Sequence, residues 1–267
     1  MKQLKLMVLT LTLLMGTMFT SCMDSGESGP QQWAGVVKVN DRMGYVTFTD
    51  AAGTELIPTN TIPVTLNARM AYIYCQVDEG QDLSTNPKSI KITLLADPTG
   101  IDATAITTPK VGESGDVTTN APVGSLSFAS GYSTVAPFQF SENTIVLPVL
   151  YRVKNVTTTE DIKKELAKHT FTLVCYTDDI KSGDTILKLY LRYKVEDEPA
   201  AIAERATRTS SFKAYEISQI LREYTLKSGQ AKPAKITIVA QQNEYNNKLE
   251  DTSTIEKVYE IEYKTAE

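Results

Sequence analysis

The sequence predicts an all-β protein with two domains, and three observations support this fold class. Apolar and polar residues alternate with a period of two along most of the chain, as in strands with one buried face. The strand-like runs are short, rich in Val, Ile, Thr and Tyr, and bounded by Gly, Pro, Asn or Asp. The 267 residues, 42% of them hydrophobic, can form one large β domain or two of about 100 residues each.

Residues 1–21 are typical of a lipoprotein signal peptide. Lys2 and Lys5 precede an apolar stretch of 14 residues, Leu6 to Phe19, whereas a membrane-spanning helix needs about 20. Small residues then precede Cys22, as in a bacterial lipobox, and this resemblance implies cleavage before Cys22 and acylation of its thiol. Several acyl chains anchor a protein stably in a membrane. The alternative is a plain secreted protein in which Cys22 is incidental.

Residues 22–32 form the acylated cysteine and a short flexible tether. Met23 rather than Asp follows Cys22, which by the usual sorting pattern of lipoproteins implies the outer membrane, facing either the surface or the periplasm. Cleavage removes Lys2 and Lys5 but no acidic residue, so the net charge falls from −5 to −7. This charge opposes binding to nucleic acid and to anionic lipid heads, so the lipid itself is the expected membrane contact.

Residues 33–97 predict a five-stranded barrel of the OB type, because five short strands fall within these 65 residues. Asp50 to Gly53 forms a turn between the second and third strands. The predicted strands are Trp33–Val39, Met43–Asp50, Leu56–Ile57, Arg69–Asp78 and Ser89–Leu95.

Three tyrosines on the predicted barrel are candidate ligand-binding residues. Alternation places Phe48 inward and directs Tyr45, Thr47, Tyr72 and Tyr74 outward. OB barrels often bind oligosaccharides or oligonucleotides on this sheet face, and flat aromatic rings suit stacking on sugars or bases. The acidic charge disfavours the nucleic acid, which leaves a glycan or an envelope protein as the expected partner. Alternatively, the three tyrosines pack against the second domain or a loop.

Residues 98–122 are rich in Thr, Pro and Gly and predict a joint, after which residues 123–267 predict an antiparallel β-sandwich. Along one strand, Leu187, Leu189, Leu191 and Tyr193 face the core, whereas Lys188, Tyr190, Arg192 and Lys194 form a solvated face. The predicted strands are Ser125–Phe128, Thr144–Val153, Thr170–Thr177, Thr185–Val195, Phe212–Ile217, Lys235–Ala240 and Ile255–Tyr263.

One short helix interrupts this sandwich. Thr157 and Glu160 have the spacing of a capping box, and Ile162 and Leu166 are four residues apart on one helix face. We expect this helix to cover one end of the sandwich. A weaker helical pattern runs from Ser218 to Leu226.

The chain resembles the NigD-like lipoproteins. The resemblance rests on the lipobox and on five stretches of sequence. These are Gly44–Gly53 continuing to Leu56–Asn60, Arg69–Val77, Phe171–Tyr176, Thr185–Tyr193 and the closing Tyr259–Tyr263. In that family an OB-fold precedes a β-sandwich. The family has no established activity that the resemblance could assign to this chain, and the resemblance assigns no cofactor. The family's link to bacteriocin gene clusters makes an immunity role a hypothesis.

The sequence lacks the usual motifs of catalysis. It has no Gly-x-Ser-x-Gly elbow, no phosphate-binding glycine loop and no zincin helix. The one histidine, His169, ends the predicted helix and is interpreted as a capping or surface residue. Asp178, Asp179 and Asp184 do not match a calcium loop and predict a solvated turn. No metal, no cofactor and no enzymatic activity are therefore expected, although two unrecognised carboxylates could still hydrolyse a glycan.

Cys75 and Cys175 remain after lipidation of Cys22. Both lie in apolar strand patterns and are interpreted as buried thiols, because a disulfide needs Cα atoms within about 7 Å. The sequence therefore predicts a non-catalytic, lipid-anchored envelope protein that binds a ligand or partner through its β domains. A bacteriocin immunity protein and a glycan hydrolase are the alternatives.

Overall fold

The computed structural model describes residues 31–265, apart from 43, 61–65, 67, 82, 84–86, 114 and 131–132. Cys22 and the predicted signal peptide lie outside the described residues. One compact unit contains the described residues up to Ala103 together with Ala129–Val135, and the other contains Thr104–Phe128 and the chain from Ala136 onward. Within the described residues, no helix has the length and apolar character needed to cross a membrane. About 47% of the chain is strand and 13% helix, which confirms the all-β class.

The first unit is a closed five-stranded barrel. Its sheet order is β1-β2-β3-β5-β4, and β1 pairs with β4 to close the barrel, with β6 added beyond β4. This closure confirms the predicted OB-like barrel. The strands are β1 (Gln32–Arg42), β2 (Tyr45–Thr49), β3 (Glu55–Pro58), β4 (Met70–Val77), β5 (Ser89–Leu94) and β6 (Thr99–Ile101).

The barrel core follows the predicted alternation with one exception. Phe48, Ile73 and Cys75 are buried as expected. Thr47, which alternation directs outward, is only 2% exposed. Its hydroxyl donates to Glu55 Oε1 at 2.9 Å and accepts a bond from Asn40 Nδ2 at 3.4 Å. Two longer polar side chains therefore cover this small residue on the outer face of β2.

The second unit is a sandwich of two four-stranded sheets, in the orders β10-β11-β14-β7 and β12-β13-β15-β16, that enclose one core. The strands are β7 (Ala103–Ala105), β10 (Phe138–Ser141), β11 (Thr144–Val153), β12 (His169–Val174), β13 (Ile186–Val195), β14 (Thr207–Glu216), β15 (Lys235–Gln242) and β16 (Ile255–Glu262). A separate two-stranded sheet consists of β8 (Phe128–Ser130) and β9 (Ser133–Val135), and most of it belongs to the first unit. The helices are α1 (Thr159–Ala167), α2 (Pro199–Ala203) and α3 (Ser218–Ser228).

One pair in this sandwich departs from the predicted antiparallel arrangement. Strands β13 and β15 are parallel, with Leu189 opposite Ile238 and Tyr190 opposite Val239. Between them the chain leaves the sheet as β14, which pairs with β11, and returns through α3. This crossover lets β15 enter beside β13 in the same direction.

Residues 98–122 contribute to both units. Thr99–Ile101 pairs with β4 in the barrel, whereas β7 joins a sheet of the sandwich. Further along, Thr107 N–H donates to Leu173 O at 3.0 Å, and Ala121 is fully buried in the sandwich core. The predicted strand at Ser125–Phe128 is wrong for most of its length. Ser125 forms only an isolated bridge with Leu150, and β8 begins at Phe128.

Helix α1 is capped one residue later than predicted. The Thr158 hydroxyl accepts from Asp161 N–H at 3.1 Å and donates to Asp161 Oδ2 at 2.6 Å, so Thr157 and Glu160 do not form the box. Ile162 and Leu166 remain 41% and 42% exposed. The helix buries Glu165 instead. Thr157, Thr158 and Thr159 could each cap the helix, and the burial of Glu165 explains why Thr158 is the one that does.

Glu165 neutralises a fully buried arginine. Arg205 Nε donates to Glu165 Oε1 at 2.7 Å, and its Nη2 donates to Glu165 Oε2 at 3.2 Å and to Asp197 Oδ2 at 3.0 Å. Burial raises the pKa of Glu165, but bonds from the Lys154 N–H and from Arg205 outweigh it and hold that pKa below its usual value. Asp197 is likewise held ionised, since Lys168 and Arg205 lower its pKa.

The two cysteines are free and buried, as predicted. Cys75 belongs to the barrel core and Cys175 to the sandwich core. Burial is the main cause that raises the pKa of each thiol to about 12. The reactive thiolate is therefore scarce at neutral pH.

Replacing Glu165 with Ala is expected to lower the free energy of unfolding by about 3–5 kcal/mol, because Arg205 would remain buried with a weakened counter-charge. Glu160→Ala on the same helix is the matched control. It removes an exposed carboxylate 2.7 Å from Lys164, so less than about 1 kcal/mol is expected. Urea unfolding followed by circular dichroism measures both. Equal losses in the two variants would contradict the assigned role of Glu165.

Candidate functional site

The three tyrosines predicted to form one site do not come together. Tyr45 lies opposite Arg42 on β1, whereas Tyr72 lies opposite Val36. These two positions are six residues apart on one strand, which corresponds to about 20 Å. Tyr45 is 57% exposed but cannot share a small ligand with Tyr72.

Tyr72 and Tyr74 do face the same way on β4. Tyr72 is half-buried, and burial raises the pKa of its hydroxyl. Tyr74 is 37% exposed and donates to Gln32 Oε1 at 2.5 Å. The predicted barrel site therefore reduces to one half-buried ring and one ring already held by a glutamine.

A cleft of about 500 Å³ opens on the outer face of the β12-β13-β15-β16 sheet. This volume lies within the usual range of small-molecule sites, about 300–1,000 Å³. We call it the tyrosine cleft. Its lining consists of Tyr176, Asp179, Ile180, Gly183, Asp184, Thr185, Ile186, Lys188, Tyr190 and Thr237.

Strand β13 supplies the floor of the tyrosine cleft through its alternation. The predicted core residues Leu187, Leu189, Leu191 and Tyr193 are all buried, which confirms the inward face. The intervening residues must therefore project outward, and Lys188 and Tyr190 line the cleft. Thr237 reaches the cleft because it lies opposite Lys188 on the parallel neighbour β15.

The loop between β12 and β13 forms one wall of the tyrosine cleft. Its 3-10 turn, Thr177–Asp179, is tied to α3 by Lys227, which bonds Asp178 Oδ1 at 3.0 Å. Gly183 has a φ of 87°, and its N–H donates to Ser228 O at 2.8 Å. Asp184 Oδ2 accepts from Lys181 N–H at 2.7 Å. These bonds hold the wall in place before any ligand arrives.

Two tyrosine rings and two cations lie close together at the cleft. The rings of Tyr176 and Tyr190 have centroids 5.2 Å apart and planes tilted by 60°. Arg192 Cζ lies 5.1 Å from the Tyr190 centroid, and Lys188 Nζ lies 5.0 Å from it. Cations at these distances are attracted by the aromatic face.

A chain of hydrogen bonds fixes Tyr176. Its hydroxyl accepts from Arg192 at 2.8 Å and donates to Asp116 Oδ1 at 2.8 Å. Burial is the main cause of the raised pKa of Tyr176. The pKa of Asp116 is lowered, mainly by a bond from the Gly112 N–H and then by Tyr176. Tyr176 is thus a neutral wall residue held by two hydrogen bonds, whereas Tyr190 on the floor of the cleft is half-buried.

The interpretation of this region from the sequence is only partly correct. Lys188, Arg192 and Lys194 do project from β13, and the aspartates Asp179 and Asp184 do lie in a turn. The structure joins these two features in one cleft, because the turn leads directly into β13. The sequence did contain a pattern that could have indicated this cleft. Tyr190 stands between Lys188 and Arg192, and the strand directly follows the turn that contains Asp179 and Asp184.

His169 cannot act on a ligand in this cleft, and its interpretation as a surface residue is wrong. It is only 8% exposed and is held by Tyr193 OH at 2.6 Å and Glu165 Oε1 at 3.3 Å. Burial is the main cause that lowers the pKa of His169, although Glu165 opposes the shift. In the part of the chain that the structure describes, no three His, Cys, Asp or Glu residues form a metal-binding group.

Comparisons with known proteins include a close relative of known structure. A candidate lipoprotein from Bacteroides fragilis, solved by crystallography, is 95% identical to this chain, with a TM-score of 0.82. The comparison covers 89% of this chain and all of that one. No protein-family model and no curated protein matches.

A more distant solved structure shares the fold. This protein of unknown function from Bacteroides vulgatus is 11% identical, with a TM-score of 0.54, and the match covers 87% of this chain and 91% of that one. At such identity the likeness concerns the fold alone. A NigD-like immunity protein from Bacteroides caccae is also 11% identical, with a TM-score of 0.49, over 87% of this chain and 93% of that one.

The environment of His169 makes stability depend on pH. The pKa of His169 is near 6.5 in the unfolded chain and lower in the folded protein. Below pH 6.5, His169 is therefore more protonated in the unfolded chain than in the folded protein. The free energy of unfolding should therefore fall by at most about 1 kcal/mol from this residue between pH 7 and 5.5. Urea unfolding of wild type and His169→Gln at both pH values measures it. A pH dependence equally steep in both proteins would contradict the assignment.

Proposed function

We propose a function on the premise that this chain belongs to the NigD-like lipoproteins, the family that its sequence resembles. Its 95% identical relative from Bacteroides fragilis is a candidate lipoprotein. On this premise the protein is a lipid-anchored envelope protein that captures a ligand in the tyrosine cleft. The observation that carries the proposal is the paired rings of Tyr176 and Tyr190 in an open cleft with a fixed wall.

The cleft is suited to binding rather than to catalysis. Acid–base catalysis usually relies on a group whose pKa lies near the working pH, most often histidine. The one histidine of the chain is buried in the Glu165 and Tyr193 network. Of the two carboxylates in the lining, that of Asp184 already accepts a bond from its own loop. Glycan hydrolysis by Asp179 and Asp184 is the alternative, and bacteriocin immunity stays a prediction from the family resemblance.

The outer membrane is the proposed location. Met23 after Cys22 supports sorting to that membrane, and the first strand begins at Gln32, only ten residues beyond the cysteine. A tether of ten residues spans at most about 35 Å when fully extended. The barrel would therefore stay close to the membrane surface.

Tyr190→Ala is expected to weaken ligand capture strongly, because it removes the half-buried ring on the floor of the cleft. The lipidated full chain in detergent micelles is tested by biolayer interferometry against neutral and acidic oligosaccharides and envelope peptides. At least one ligand should bind wild type and lose at least about tenfold in affinity with Tyr190→Ala, within the range for loss of an anchoring aromatic residue.

Two controls sharpen this experiment. Tyr245→Ala removes a tyrosine that is 78% exposed outside the cleft and should leave binding unchanged. Tyr74→Ala tests the barrel site predicted from the sequence. Binding that survives Tyr190→Ala, or is lost only with Tyr74→Ala, overturns the cleft proposal. Release of reducing ends that stops with Asp179→Asn would favour the hydrolase instead.

Cys22→Ala should release the protein from the membrane, because the acylated thiol is the proposed anchor. Fractionation of cells that express the variant, followed by immunoblotting of inner- and outer-membrane fractions, measures the release. Wild type should fractionate with the outer membrane. A variant that remains in the membrane fraction would contradict lipid anchoring at this residue.

A further inference from the structure

We infer that the ligand of the tyrosine cleft is an acidic saccharide, with its hydroxyl groups at the turn end of β13 and its carboxylate or sulfate group at Arg192 and Lys194. This inference rests on the proposed function and names its ligand class. It follows from the unequal chemistry of the two ends of the outer face of β13.

The far end of this face is cationic, and among the described residues neither Arg192 nor Lys194 forms a direct ion pair with a carboxylate. Arg192 reaches Asp116 only through the hydroxyl of Tyr176, which accepts from Arg192 and donates to Asp116 Oδ1. Lys235, on the adjacent β15, instead pairs with Glu260 at 2.9 Å and Glu262 at 3.2 Å. In a chain with net charge −5, two neighbouring cations without direct ion pairs favour an anionic ligand.

The near end offers hydrogen-bond acceptors. Asp179, Asp184, Thr185 and Thr237 all line the cleft there. An ionised carboxylate accepts hydrogen bonds and repels phosphate or sulfate, so this end suits neutral hydroxyl groups. Lys188 lies at this end as well, with its Nζ 5.0 Å from the centroid of the Tyr190 ring, and the bond to Tyr190 is the main cause that raises the pKa of Lys188.

Tyr190 lies between the two ends. From Lys188 to Lys194 the face extends about 20 Å, so a ligand that reaches both ends must be elongated. The half-buried ring of Tyr190 at the centre provides a flat apolar surface. A chain of sugar rings combines the required features of a flat face, hydroxyl groups and a spaced negative charge.

Two other anionic polymers fit less well. Nucleic acid carries a charge every few ångströms, which the carboxylates of the turn would repel. A peptide that binds by strand addition needs a free sheet edge, whereas β13 is paired on both sides, with β12 and with β15.

The test uses matched pairs of polymers. The lipidated full chain in detergent is measured by biolayer interferometry against two sparsely charged polymers, pectin with few free carboxylates and lightly sulfated dextran. Their uncharged counterparts, fully methyl-esterified polygalacturonate and dextran, are measured in parallel. Wild type should bind at least one charged polymer at least tenfold more tightly than its neutral partner, and this preference should weaken as salt is raised.

Charge-removing variants locate the contact. Arg192→Gln with Lys194→Gln should lose the tenfold preference. Lys194→Gln alone should lose part of it, and this single variant leaves the bond from Arg192 to Tyr176 intact. Lys163→Gln with Lys248→Gln removes two exposed cations elsewhere and should match wild type. Thermal unfolding confirms that each variant is folded.

The outcomes separate this inference from the proposed function. Equal binding of charged and neutral polymers that depends on Tyr190 keeps the cleft and overturns the acidic class. Binding of polyglutamate or poly(dT) as tight as that of the charged saccharides also overturns it. No Tyr190-dependent binding to any polymer overturns both.

Discussion

Strand β13 is the element on which the second unit depends, because both of its faces are constrained. One face places three leucines and Tyr193 in the shared core of the sandwich. The period of two then fixes Lys188, Tyr190, Arg192 and Lys194 on the other face. A slip of one residue would expose the core and bury the cations, so packing that stabilises the fold also positions the candidate site.

The pairing partners of β13 make this strand rigid. It bonds β12 on one side and β15 on the other, so its backbone groups are satisfied from both directions. The parallel pairing with β15 brings Thr237 beside Lys188, and α3 ties the adjoining loop through Lys227 and Ser228. The cleft is therefore built largely before binding, which reduces the entropy cost of capturing a ligand.

A buried polar network stabilises a different part of the sandwich. Arg205, Glu165, Asp197 and His169 form one connected group, and its buried charges are costly unless each is paired. This group determines which face of α1 points inward, and it overrides the apolar pair Ile162 and Leu166. It also removes the one histidine of the chain from the candidate site.

The sequence by itself determined the all-β class, the OB-like barrel and the inward face of β13, since these depend on local alternation. It also identified Cys75 and Cys175 as buried thiols. Only the tertiary structure decided that Tyr45 and Tyr72 lie opposite positions of β1 that are about 20 Å apart. It also decided that Glu165 faces inward and that β15 runs parallel to β13. It alone joined Tyr176 to Tyr190 in one cleft, because strand register and long-range charge pairing are set by contacts between distant segments rather than by local periodicity.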